Sequence, residues 1–189
     1  MRKNNISNKK FWIFLLFFIL LWILLFGFWL KNYSANRVAV PVTVETNTSI
    51  YAKVLYVIDG DTVDVAVDGK KQRVRLLGID APEMGFENKK EMCFAGESRN
   101  KLLDFIDGNT VSIASDSTQQ DRDAYNRILR YMYLPDGTFV NKQLIEEGYA
   151  YEYTYKELPY LYRQEFQEAQ KKAQSEHIGI WKEGVCPSF

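Results

Sequence analysis

Histidine occurs once and cysteine twice in this chain of 189 residues, and that scarcity removes whole classes of chemistry. The lone His177 excludes catalytic histidine pairs and histidine-based triads, and its place near a helix end suits capping instead. Cys93 and Cys186 stand far apart, unlike the close pairs of a zinc ribbon. No internal repeat or low-complexity tract is present, which excludes solenoids and collagen-like chains. Acidic residues are missing from positions 1–37, where six of the 24 Lys and Arg residues lie, leaving 18 bases against 24 acids beyond. A composition with a quarter of its residues charged and close to half apolar suits one globular domain with additions.

The first addition is the uncharged run FWIFLLFFILLWILLFGFWL, residues 11–30. At about 1.5 Å per residue, a helix of this length spans the hydrocarbon core of a bilayer. A signal peptide is the rival, but its apolar stretch is shorter and ends in small residues, whereas Trp29, Leu30 and Lys31 stand here. The reading is a single-pass anchor, with residues 1–10 as a basic cytoplasmic tail. Arg2, Lys3, Lys9 and Lys10 precede the run, so the C-terminal part is expected outside the cell. Residues 31–48 read as a tether, residues 49–186 as the folded domain and 187–189 as a tail. Secretion after cleavage is the alternative. In an oxidising exterior Cys93 and Cys186 could bridge, closing a loop of about 90 residues and stabilising by about 4 to 5 kcal/mol.

Within the domain, strands are expected at 51–58, 62–67 and 72–77, with Asp68-Gly69 as a hairpin turn. The stretch GESRNKLLDFIDGN suits an amphipathic helix stopped by Gly108. Further strands are expected at 110–114 and 128–134, a short helix ending at Gly148, and a long helix over about 157–176 with Leu161, Phe166, Ala169 and Ala173 near one face. This α+β pattern predicts a five-stranded OB-fold barrel with about three packed helices.

Five segments carry a resemblance: VIDGDTV, VRLLGIDAPE, DAYNRILRYMYL, VNKQLIEEGYA and GIW. They resemble, in order and approximate spacing, the thermonuclease family of micrococcal and staphylococcal nucleases. The likeness covers about residues 51–182. It implies an OB barrel and Ca²⁺-dependent hydrolysis of DNA and RNA that leaves 3′-phosphate ends. By the same likeness Asp61 and Asp80 are metal carboxylates, the Ala81 carbonyl is a backbone ligand and Asp59 an outer acid. The family's best-known member carries threonine in place of Ala81, so a side-chain hydrogen bond is lost here. Glu83 matches the proposed general base, Arg75 and Arg127 the phosphate clamp, and Tyr125, Tyr153 and Tyr155 the nucleotide-contacting tyrosines. The segment after Gly148 is one residue shorter than in the family, so Tyr151 and Tyr160 stay as alternatives.

The residue types suit that chemistry independently. Ca²⁺ takes hard oxygen donors, a carboxylate can orient or deprotonate water, and a guanidinium fork matches two phosphate oxygens better than a lysine. An EF-hand reading fails for want of the sixth-position glycine and the terminal glutamate. Duller readings also exist: Asp59-Gly60-Asp61 as a turn of solvated acids, Arg75 as a surface arginine, Arg127 as an ion-pair partner of Asp123, and the tyrosines as packing against the barrel. Asp64 is expected to face solvent. The partners expected are DNA and RNA, single-stranded or frayed, and a lipid bilayer through residues 11–30, with no obligate protein partner. The alternative function is a non-catalytic module that binds nucleic acid or protein on the same barrel.

Overall fold

The computed structural model describes residues 49–186 apart from 86, 88, 89 and 109, together with Ile19, Trp22, Leu25 and Phe26. Those four are helical and exposed, and Trp22 stacks on Phe26. Among the described residues no helix is long and apolar enough to cross a membrane. Apart from those four, the expected anchor over 11–30 lies outside the described residues, as do the tail 1–10, the tether 31–48 and residues 187–189.

Alternation of valines with polar residues builds the barrel. Strands β1 (Ile50–Val57), β2 (Thr62–Val67) and β3 (Lys70–Leu76) form the expected meander; β4 (Ile79–Asp80), helix α1 (Ala95–Ile106), β5 (Thr110–Ala114) and β6 (Ile128–Tyr133) follow. The chain then forms α2 (Val140–Glu146), β7 (Tyr151–Glu152) and α3 (Arg163–Ser175). The barrel closes in the order β1-β2-β3-β6-β5, and β4 pairs with β7 in a separate two-stranded ribbon. All barrel pairs are antiparallel except β3 with β6. Closure leaves no free sheet edge.

Inward positions an even number of residues apart supply the core: Val63 and Val65 of β2, Val74 and Leu76 of β3, Val111 and Ile113 of β5, and Ile128 and Met132 of β6 are all buried. Leu102 and Ile106 of α1, Leu144 and Ile145 of α2, and Phe166 of α3 cover them. Each such side chain contributes about 1.5 to 3 kcal/mol by leaving water. Gly148 and Gly179 let the C-terminal segment cross the end of α2 at backbone distance. Ile180 N–H donates to Gly148 O at 2.9 Å, and a Cβ on Gly148 would stand 2.4 Å from the Ile178 oxygen.

Two local expectations are corrected, and the expected disulfide is present. The last helix begins at Arg163, not near Glu157, because Lys156 and Glu157 adopt positive φ in a short 3-10 turn and Pro159 holds Leu158 extended. Leu161 therefore precedes the helix and is half exposed, while Phe166, Ala169 and Ala173 form its buried face. Asp64 does not face solvent: its side chain is 3% exposed, paired with Lys71 at 2.7 Å and Arg73 at 2.8 Å. Cys93 and Cys186 are joined in a disulfide that links residues 93 positions apart.

Candidate active site

The loop between β1 and β2 fixes the first carboxylate. Asp61 N–H donates to Asp59 Oδ1 at 3.0 Å, which closes a tight turn around Gly60. Glycine is required there by close approach, since a Cβ would lie 2.6 Å from that of Ala81 and 2.8 Å from that of Ser98. Pressed against this neighbour, Asp61 is 2% exposed. Its Oδ2 accepts the Ala81 N–H at 2.7 Å, and its Oδ1 accepts the Thr62 hydroxyl at 3.0 Å.

Strand β3 brings Arg75 beside it. The guanidinium donates to the Leu76 and Ile79 carbonyls at 3.0 and 2.7 Å. Its second terminal nitrogen bridges Asp80 Oδ1 at 2.7 Å and Asp61 Oδ2 at 3.1 Å. Arg75 thus joins the two carboxylates expected to hold a metal.

Arg127 comes from the turn before β6. Asp123 Oδ1 accepts the N–H groups of Tyr125 and Arg127 at 2.9 Å, and Asp123 Oδ2 pairs with Arg127 Nε at 2.6 Å. An Arg127 terminal nitrogen lies 3.4 Å from the Thr62 hydroxyl. The ion pair with Asp123 is therefore present, and it leaves Arg127 on the wall of the site. Asp123 and Thr62 are the neighbours that reading by residue type undervalued. The four-residue spacing of Asp123 from Arg127 was the available signal for the first, and no signal marked the second.

A groove of about 750 Å³ opens between these elements. Arg75, Asp80, Glu83 and Arg127 line one part, and Tyr125, Tyr153 and Tyr155 line another. Tyr125 is 82% exposed. Tyr153 and Tyr155 lie with ring centres 6.4 Å apart, fixed to the barrel by the Tyr153 N–H bond to the Gly78 carbonyl at 2.9 Å. Of the alternatives, Tyr151 is not in the lining and turns edge-on to Trp181, whereas Tyr160 also lines the groove but is buried with its hydroxyl on Glu152. Asp59, Asp61 and Ala81 stand behind the lining rather than in it.

Electrostatics separate the acids. Burial pushes the Asp61 carboxyl up to about 7, Arg75 opposing and the charges on Asp59 and Asp80 adding to it. Asp80 and Glu83 are also raised, each first by desolvation and then by carboxylate neighbours, with Arg75 and Arg127 opposing. Among the described residues the Glu83 carboxylate has no hydrogen-bond partner, so it is free to take a proton from the groove.

The donors fit a hard divalent cation. The Asp61 and Asp80 carboxylates and the Ala81 carbonyl would be its oxygen ligands, and the excess of acids over arginines is what a bound cation would offset. No group of three or more His, Cys, Asp and Glu side chains among the described residues is arranged to hold a metal. The Ala81 carbonyl and water would thus have to complete the shell.

Residues 73–183 match the family model described as staphylococcal nuclease homologue. The chain is 35% identical to a thermonuclease of Staphylococcus hyicus, over 68% of this chain and 74% of that one. It is 33% identical to an uncharacterized endonuclease of Escherichia coli over 71% and 78% of the two chains. Against a micrococcal nuclease of Shigella flexneri the identity is 30%, over 79% and 83%.

Proposed function

Since the chain belongs to the staphylococcal nuclease family and is a nuclease hydrolase, we propose that it is a membrane-anchored, Ca²⁺-dependent enzyme that cleaves DNA and RNA with little sequence preference and leaves 3′-phosphate ends. The observation that carries this reading is the groove itself, where two arginines, a free carboxylate and three tyrosines meet. Asp61, Asp80 and the Ala81 carbonyl would hold Ca²⁺, with Asp59 behind them, and the ion would supply positive charge beside the phosphate oxygens. Arg75 and Arg127 grip the scissile phosphate and meet the added negative charge of its transition state. Glu83 orients the attacking water and accepts its proton at a carboxylate oxygen. The new bond forms from water oxygen to phosphorus, the bond from phosphorus to the 5′-oxygen breaks, and that oxygen takes up a proton. Tyr125, Tyr153 and Tyr155 stack on flanking bases, which favours single-stranded or frayed substrate.

Residues 11–30 serve in this reading as a single-pass anchor, with the basic residues 1–10 in the cytoplasm and the nuclease domain outside. The disulfide between Cys93 and Cys186 suits such an oxidising location.

The full chain, solubilised in detergent, should degrade single-stranded DNA when Ca²⁺ is added and stop when it is chelated. Its products should prime a polymerase only after phosphatase treatment. The variant pair Glu83→Gln and Arg127→Ala should each lose activity, by about 10²- to 10³-fold for the arginine. Cleavage that survives chelation, or unchanged activity in both variants, would sink the mechanism. Release of the chain from membranes by alkaline wash would remove the anchor but leave the chemistry standing.

A further inference from the structure

The outward face of β1–β3 carries a second charged surface that the cleavage site does not use. On β3, outward side chains alternate as Arg75, Arg73 and Lys71, opposite Thr62, Asp64 and Ala66 of β2. The rows continue onto β1, where Tyr56 lies opposite Asp64 and Lys53 opposite Ala66. Directly opposed residues of antiparallel strands share a face, so these groups form one track that starts at the active-site Arg75.

Three features suit that track to a polyanion. Outward residues of a strand recur at about 6.8 Å, close to the separation of successive phosphates in an extended single strand. Arg73 and Lys71 keep 50% and 63% of their side-chain surface exposed, whereas Asp64 between them is 3% exposed. The cations therefore face solvent and their shared carboxylate does not. Tyr56 is 58% exposed with the Arg99 guanidinium 5.6 Å from its ring centre, an arrangement of aromatic face and cation that takes a nucleobase.

The setting sharpens the point. Beyond residue 37 the chain carries 18 bases and 24 acids, a poor field for attracting nucleic acid. This face nonetheless brings four cations, Lys53, Lys71, Arg73 and Arg99, around the buried Asp64. We propose that it binds the single-stranded nucleic acid running on from the cleaved phosphate, extending the substrate site over the outside of the barrel. Its charge complements the phosphate backbone, and it is continuous with Arg75.

The test uses the full chain in detergent, with chelator present so that binding is read without cleavage. Affinity is measured for three- and twelve-nucleotide oligothymidylates across a salt titration. The wild type should bind the longer strand markedly tighter. Lys53→Glu with Lys71→Gln removes two exposed cations of the track and leaves Arg73 paired with Asp64. Affinity for the twelve-mer should then fall about ten-fold or more, and its salt slope by roughly 1.4, at about 0.7 per phosphate contact. Binding of the three-mer and cleavage of a dinucleotide should stay within two-fold. Arg73→Gln, checked for folding by circular dichroism, should act in the same direction.

Equal affinity of wild type for the two lengths, or an unchanged twelve-mer affinity in the double variant, overturns the proposal. So does loss of binding to phosphatidylglycerol vesicles with twelve-mer binding intact, which would assign the face to a membrane surface. The proposal rests on the nuclease reading, and failure of that reading shows separately, as no cleavage of the dinucleotide by the wild type.

Discussion

Two carboxylates, Asp61 and Asp116, are equally hidden from water, at 2% and 4% exposure, yet their surroundings push them in opposite directions. Asp61 is raised to about 7, because burial and the nearby Asp59 and Asp80 outweigh Arg75 and the Ala81 N–H. Asp116 is lowered. Burial opposes this, but Tyr131 Oη, the Leu161 N–H, and the Thr118 hydroxyl and N–H all donate to it. Burial alone does not set a carboxyl's ionisation; the balance of donors, counter-charge and neighbouring carboxylates does. Asp116 ties the chain before β6 to the residues that lead into α3, whereas Asp61 sits among other carboxylates beside the groove.

The largest expected effect falls on Asp61. Asp61→Asn keeps an acceptor for the Ala81 N–H but removes the charge, so activity should drop about 10²-fold or more. Stability to urea at pH 8 should stay level or rise, since a carboxylate repelled by its neighbours is gone. A destabilised variant with activity intact would reverse the roles assigned here. Asp116→Ala should do the opposite. It leaves the Tyr131 hydroxyl and the Leu161 N–H without their acceptor, at about 1 to 3 kcal/mol each, while kcat per folded molecule stays within two-fold. Urea titration read beside a DNA-cleavage assay separates the two outcomes.

Much of this was legible in residue order, and the contrast explains which parts were not. Val63, Val65, Val74 and Leu76 show the barrel by alternation, and the arginines and carboxylates of the groove lie in short motifs whose members fold close together. Asp61 and Asp64 show where such reading stops. Both sit among valines at neighbouring positions, and both were open to being solvated acids. Cross-strand register decides between them, placing Arg73 opposite Asp64 and Ala81, twenty residues on, against Asp61. Asp116 was silent for the same reason, since two of its donors come from 15 and 45 residues away. The late start of α3 was hidden by tyrosines and leucines that continue a helical spacing, although Pro159 and the positive φ values before it forbid the helix.

The most direct test of the contrast asks how each carboxylate links stability to pH. For Asp61 the folded value, about 7, lies above the ordinary 3.8. The folded state therefore binds a proton that the unfolded state releases between those values. Stability from this group is fully present below pH 3.8 and is lost as pH rises toward 7. For Asp116 the folded value lies below 3.8, so its contribution is present above pH 3.8 and is lost as pH falls through the folded value. In urea titrations of chelator-treated protein, Asp61→Asn should remove a decline in stability between pH 4 and 7. Asp116→Ala should leave that decline in place and flatten the loss below pH 4. Added Ca²⁺ should erase the Asp61 decline in the wild type by favouring the ionised carboxylate, and leave the Asp116 limb as it was. If both variants changed the same limb, the two acids would be one kind of buried group, and position in the fold rather than charge environment would have to account for the active site.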